Sequence, residues 1–144
     1  MKIRRGKAND IDSILNLMKN VYELRVSKKN DPFVSKSFIR EYLLDKKMNY
    51  VLISEENKKI IGFLFAEIWK KKKFSFFAEI TVSPEYRRKG IADKLFDVYE
   101  RYCKNKKLKV IVAQAHINNK KIIKFNKKKG FKRGETFYYY IKYL

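Results

Sequence analysis

Apolar positions follow two different periods along this chain, and the alternation between them divides it into elements. Ile3 to Arg5 reads as a short first strand. Asn9-Asp10 then offers a helix cap, and Ile11, Ile14, Leu15, Met18, Val21 and Tyr22 follow at helical spacing. Asp31-Pro32 marks a loop, and a second helix is predicted from about Ser35, burying Phe38, Ile39, Tyr42 and Leu43. Tyr50 to Ser54, Ile60 to Trp69 and Phe74 to Val82 are rich in β-branched and aromatic residues. They are separated by polar turns over residues 55–59 and 70–73, a pattern that predicts an antiparallel meander.

The pattern then changes. Ser83-Pro84 closes the third of these strands, because proline has no N–H to give a ladder. A helix is predicted from Arg88, with Ile91, Leu95, Val98, Tyr99 and Tyr102 on one stripe. Leu108 to Ala115 reads as a strand with a buried apolar run. Asn118 or Asn119 caps a further helix that ends at Gly130, and Thr136 to Leu144 reads as a last, aromatic strand. The order is mixed α+β, with strand–helix–strand units in the second half.

Composition narrows the class. A chain of 144 residues fits one domain, and 45% hydrophobic residues suffice for a core. No stretch approaches the roughly 20 apolar residues of a membrane span, and Met1-Lys-Ile-Arg-Arg does not lead into an apolar signal region. Cys103 is the only cysteine, which excludes an internal disulfide and a cysteine-based zinc site. A cytoplasmic protein without a membrane partner is expected. The net charge of +21 attracts polyanions, so nucleic acid or ribosome association is a second expectation; a solvated lysine-rich surface is the plainer account of most of these charges. The short runs at residues 70–73, 104–107 and 127–129 read first as solvated connections. Oligomeric state has no readable signal.

Candidate chemistry concentrates between the third meander strand and the helix after it, in Arg87-Arg88-Lys89-Gly90-Ile91-Ala92. The first amides of a helix lack intrahelical partners, point one way, and carry the positive end of the helix dipole. Such a junction suits a pyrophosphate. Gly90 allows close approach to the backbone, Ala92 keeps a second approach point small, and three cationic side chains rim the site.

Residues 80–92, Ile-Thr-Val-Ser-Pro-Glu-Tyr-Arg-Arg-Lys-Gly-Ile-Ala, resemble the acetyl-CoA signature of the GNAT N-acetyltransferase superfamily: Arg or Gln, two residues, Gly, one residue, then Gly or Ala. Arg87, Gly90 and Ala92 fill that pattern, and the element order resembles the family along all 144 residues. The resemblance implies one domain over residues 1–144, with a central mixed, mostly antiparallel sheet flanked by about four helices. It implies acetyl-CoA as acetyl donor, with backbone groups of Ile80 and Val82 on the pantetheine arm and the amides of Arg88, Lys89, Gly90, Ile91 and Ala92 on the diphosphate. Asn119, Asn126 and Gly130-Phe131 resemble a second family stretch, in which Asn119 contacts the cofactor arm. Asn126 stands where the family usually has a tyrosine credited as general acid, so another group or water protonates the thiolate, or it leaves unprotonated, its pKa being about 8.5.

The implied reaction is direct attack by an amine in a ternary complex, with no visible activated nucleophile for an acyl-enzyme. The acceptor is expected to be a protein N-terminus, a lysine or a small amine. It is mostly protonated at neutral pH and needs a base. Glu79 is the best placed carboxylate, one residue before Ile80; Glu67 ranks behind it, and pairing with a nearby lysine is Glu79's alternative role. Strand alternation predicts that Glu79 shares a face with Phe77 and Thr81. His116 reads as a loop residue, Cys103 as packing, and Tyr138-Tyr139-Tyr140 as sheet packing or a substrate rim. The competing function is a basic nucleic-acid-binding module without catalysis, which leaves the Gly90 segment unexplained.

Overall fold

The computed structural model describes residues 1–21, 35–138, 140 and 142. They fall into two compact units, residues 1–114 and 115–144. The predicted loop at Asp31-Pro32 and Tyr22 of the first stripe lie outside the described residues.

The first unit is a sheet with helices on both faces. Strands β1 (Lys2–Arg5), β2 (Asn49–Glu56), β3 (Lys59–Trp69) and β4 (Phe74–Val82) pair antiparallel in chain order, and β5 (Val110–Ala113) adds parallel to β4. Helices α1 (Ile11–Val21) and α2 (Lys36–Leu44) cover one face and α3 (Ile91–Asn105) the other. A 3₁₀ turn over Ala8–Asp10 precedes α1. In α2, Ser35 accepts the Phe38 amide at 3.1 Å and caps the helix, which sequence starts at about Ser35.

Alternation along β2 and β3 sorts the core into two layers. Val51, Ile53, Phe63 and Phe65 pack with Ile11, Ile14, Leu17 and Met18 of α1 and Ile39, Tyr42 and Leu43 of α2. On the other face, Phe77 meets Phe96 edge-on at 5.3 Å and Tyr99 at 6.0 Å, beside buried Leu95 and Ile91. The fully buried Tyr99 hydroxyl lies 2.6 Å from Ser75 Oγ, which donates to the Glu67 carbonyl, so Tyr99 donates to Ser75. Each of these large side chains contributes about 1.5–3 kcal/mol through burial. Cys103 packs in the same layer, and burial pushes its thiol pKa up.

Arg4 ties the open side of the sheet to the start of α1. Its guanidinium grips Asp10 through two hydrogen bonds of 2.8 Å and reaches Glu55 at 2.8 Å, while Asp10 also accepts the Lys7 amide. Burial opposes ionisation of Asp10, but Arg4 and the Lys7 amide outweigh it and hold the carboxyl below its usual pKa range.

The structure moves several predicted boundaries. The β2–β3 turn is only Asn57-Lys58, both at positive φ (49° and 63°), as a tight two-residue hairpin requires; Glu55, Glu56 and Lys59 remain in the strands. Helix α3 starts at Ile91 rather than Arg88, because Arg88 (φ 61°) and Gly90 (φ 74°) are left-handed. Its buried stripe is Ile91, Leu95, Phe96, Tyr99 and Cys103, with Val98 and Tyr102 only half-buried. The Leu108 to Ala115 segment is not a buried run. Strand β5 spans four residues, and Val110 and Val112 are 53% and 42% exposed, since β4 is the only strand it pairs with among the described residues.

In the second unit, α4 (Lys120–Lys128) is capped by Asn119, whose Oδ1 accepts the Ile122 amide at 3.2 Å. It ends in a Schellman arrangement. The Phe131 amide bonds the Asn126 carbonyl, the Gly130 amide bonds the Lys127 carbonyl, and Gly130 takes φ 82°. Residues 131–138 hold no helix or strand, against the strand predicted from Thr136; Tyr139, Ile141, Tyr143 and Leu144 lie outside the described residues.

Candidate active site

Strand β4 carries the site because it changes character half-way. From Phe74 to Phe77 it is paired on both edges, with β3 and with β5. From Ala78 to Val82 it is paired with β3 alone among the described residues of the first unit. The change coincides with a β-bulge: Phe65 opposes Glu79 and Ala66 opposes Phe77, leaving Ala78 as the extra residue.

The bulge also corrects the expected orientation of Glu79. Phe77 faces α3, but Glu79 stands opposite Phe65 on the face covered by α1 and α2, so the two do not share a face. Thr81, opposite Phe63, does share the face of Glu79 and donates to its Oε1 at 2.9 Å. Glu67 lies on this face too, diagonal to Glu79 across adjacent strands. Tyr42 Oη donates to Glu67 Oε1 at 2.9 Å and Trp69 Nε1 to Oε2 at 3.3 Å. Burial, the bond to Glu67 and the charges of Glu67 and Glu79 hold the Tyr42 hydroxyl in its protonated, donating form. Sequence ranked Glu67 second and missed Tyr42 as its partner. A lone acid inside the apolar run from Ile60 to Trp69 was the available signal.

Beyond Val82 the chain makes a 3₁₀ turn over Pro84–Tyr86, runs extended at Arg87, and reverses through Arg88 and Gly90 into α3. Arg87 Nε donates to the Val82 carbonyl at 3.2 Å, fixing the loop to the strand end. The Lys89 ammonium lies 5.0 Å from the centre of the Tyr86 ring. Val82, Tyr86, Arg87, Arg88 and the turn Gly90–Asp93 enclose a concavity of about 130 Å³. Gly62, on β3 directly opposite Val82, is required there: a Cβ would meet the Thr81 carbonyl at 2.9 Å. At Gly90 a Cβ would meet nothing within 4 Å, so the space above the backbone is open. First-turn amides, a left-handed glycine and exposed cations around an open concavity fit a diphosphate.

Asn119 and Asn126 belong to the second unit. Asn119 uses its Oδ1 as the α4 cap, and Asn126 Oδ1 is buried with no hydrogen-bond partner among the described residues. His116 is an exposed loop residue whose Nδ1 accepts the Asn118 amide at 3.2 Å. Tyr138 and Tyr140 are exposed, not packed in a sheet. No cluster of His, Cys, Asp and Glu suited to a metal ion occurs among the described residues.

The pattern of the acetyltransferase (GNAT) family matches residues 12–131, most of the chain and parts of both units. The chain belongs to this family. It is an acetyl-CoA-dependent acetyltransferase. It is 24% identical to an uncharacterised N-acetyltransferase of Archaeoglobus fulgidus, over 94% of this chain and 96% of that one. Its fold matches the crystal structure of the PaiA N-acetyltransferase of Thermoplasma acidophilum in complex with coenzyme A, with a TM-score of 0.85 at 18% identity, covering 94% and 91% of the two chains. It also matches an aminoglycoside acetyltransferase from an uncultured soil metagenomic sample in complex with sisomicin, with a TM-score of 0.75 at 20% identity, covering 98% and 96%. The expected mixed, mostly antiparallel sheet is the one found, and the described residues hold four α-helices where about four were expected. No helix among the described residues is long and apolar enough to cross a membrane.

Proposed function

We propose that residues 1–144 act as one cytoplasmic catalytic domain that moves the acetyl group of acetyl-CoA onto a primary amine by direct attack in a ternary complex. The carrying observation is the second half of β4. It leads into the anion cradle, pairs with β3 alone among the described residues of the first unit, and turns Glu79 toward the α1 and α2 face.

The amides from Arg88 to Ala92 and the charges of Arg87 to Lys89 hold the diphosphate, with Gly90 admitting its oxygens close to the backbone. Backbone groups of Ile80 and Val82 align the pantetheine arm. Asn119 and Asn126 stay proposed cofactor contacts on the family resemblance alone, Asn119 Oδ1 being the α4 cap and Asn126 Oδ1 being buried. Bound in this way, the cofactor presents a thioester carbonyl as the electrophile. Glu79, held by Thr81, accepts the proton that the amine loses as nitrogen bonds the acetyl carbon and the carbon–sulfur bond breaks, the electron pair staying on sulfur. Asn126 has no acidic proton to return, so another group or water protonates the thiolate, or it leaves unprotonated. A covalent acyl-enzyme has no support, since Cys103, the only thiol, is buried and kept protonated.

The acceptor class is an amine: a protein N-terminus, a lysine or a small molecule. The aminoglycoside-bound neighbour supports an amine, while the net charge of +21 disfavours approach of a polycation. The test is an acetylation screen against amines and peptides, following thiol release. Turnover with at least one amine, lost in Glu79→Gln while acetyl-CoA still binds, is the expected result. Turnover that survives Glu79→Gln unchanged sinks the assignment of the base.

A further inference from the structure

The fold gathers lysines that are scattered in sequence. Three connections meet at the end of the sheet where β2, β4 and β5 begin and β3 ends. They are the α2–β2 turn with Lys46 and Lys47, the β3–β4 turn whose residues 70–73 are all lysine, and the α3–β5 loop with four lysines between Lys104 and Lys109. Backbone bonds lock them side by side. The Ile68 amide bonds the Met48 carbonyl at 2.6 Å, and the Lys109 amide bonds the Lys73 carbonyl at 2.7 Å. All ten lysines are exposed. Among the described residues the acidic groups beside them are already engaged: Asp45 caps the Lys47 and Met48 amides, Glu100 pairs with Lys104, and Glu67 accepts from Trp69 Nε1. Lys73 and Lys107 occupy left-handed positions (both φ 55°) where glycine or asparagine fits with less strain, so the turns keep cations at conformational cost. Aromatic rings lie among them. Trp69 stacks on Phe74 at 5.7 Å with Lys72 above it at 5.7 Å, and Tyr102 carries Lys106 at 5.8 Å; all three rings are half-buried.

This pole lies at the opposite end of β4 from the phosphate cradle, about 30 Å away for a nine-residue strand. It is therefore not an extension of the cofactor site. We propose that it is a docking surface for a single-stranded nucleic acid, whose phosphates meet the lysines and whose bases meet the ring edges. Mobile lysine stems suit a flexible phosphate backbone, and half-exposed rings set between cations suit bases better than acidic side chains.

The experiment measures fluorescence anisotropy of a labelled 20-nucleotide RNA or DNA strand across a salt series. Changing residues 70–73 to glutamine should weaken binding more than tenfold at low salt and lower the salt slope by about 2–3, while acetyl-CoA affinity is unchanged. A second variant, Lys106→Gln with Lys107→Gln and Lys109→Gln, reads the same surface if the first does not fold. A charge-matched control removes Lys2, Lys19, Lys36 and Lys58 and should weaken binding less than threefold. Equal losses in the control and the pole variants would show that the charge acts diffusely and overturn the proposal. So would tighter binding to polyglutamate or to anionic vesicles than to the oligonucleotide at the same salt.

Discussion

The two halves of β4 share one strand and do opposite work. Phe74 to Phe77 has a strand on each side, and its inward residues Ser75 and Phe77 are buried against α3. Ala78 to Val82 has β3 on one side only among the described residues, and its residues other than Thr81 are half-buried. One extra residue at Ala78 separates them. The comparison teaches that a site needs a rigid continuation: the first half is held to the core from both edges and carries the second half, which pairs with β3 alone among the described residues of the first unit.

If this division holds, mutations in the two halves should separate binding and catalysis from stability. The largest effect is expected just past the second half, at Gly90→Glu. A carboxylate in the cradle should weaken acetyl-CoA binding by at least a hundredfold in calorimetry. The melting temperature should fall only slightly, since the new side chain meets nothing and bears only the left-handed strain of roughly 1 kcal/mol. Glu79→Gln should lower kcat/KM by about 10²-fold or more at neutral pH with cofactor affinity intact. Phe77→Ala, two residues earlier but in the first half, should do the reverse. It should destabilise by about 3–4 kcal/mol in denaturant titration while the remaining folded enzyme keeps its KM for acetyl-CoA. The smallest effect is expected at Thr81→Val, which keeps the volume and removes one hydrogen bond to Glu79, costing about three- to tenfold in kcat. Equal loss of stability and turnover in Phe77→Ala and Glu79→Gln would erase the distinction between the halves.

Local chemistry was legible in the sequence; register was not. The helices that begin near Ser35 and Asn119, the meander strands and the Gly90 segment depend on neighbours within a few residues, and the structure has them. The bulge at Ala78 depends on how β4 meets β3 and leaves no mark in an unbroken run of strand-forming residues, so period-two counting put Glu79 with Phe77. The start of α3 was misplaced because Arg88 is left-handed, which a non-glycine residue rarely signals. The apolar run at β5 reads as buried only if both its edges and faces are assumed covered. Glu67 was visible as a lone acid, but its tie to Tyr42 spans 25 residues and needs α2 laid across the sheet.

The placement of Cys103 has a practical consequence. With a single sulfhydryl that is 3% exposed and held in its unreactive form, the folded chain should stay silent toward thiol-reactive dyes. Colour developing during turnover then counts released coenzyme alone. The same sulfhydryl, alkylated only when α3 lifts off the sheet, turns slow labelling into a clock for that opening.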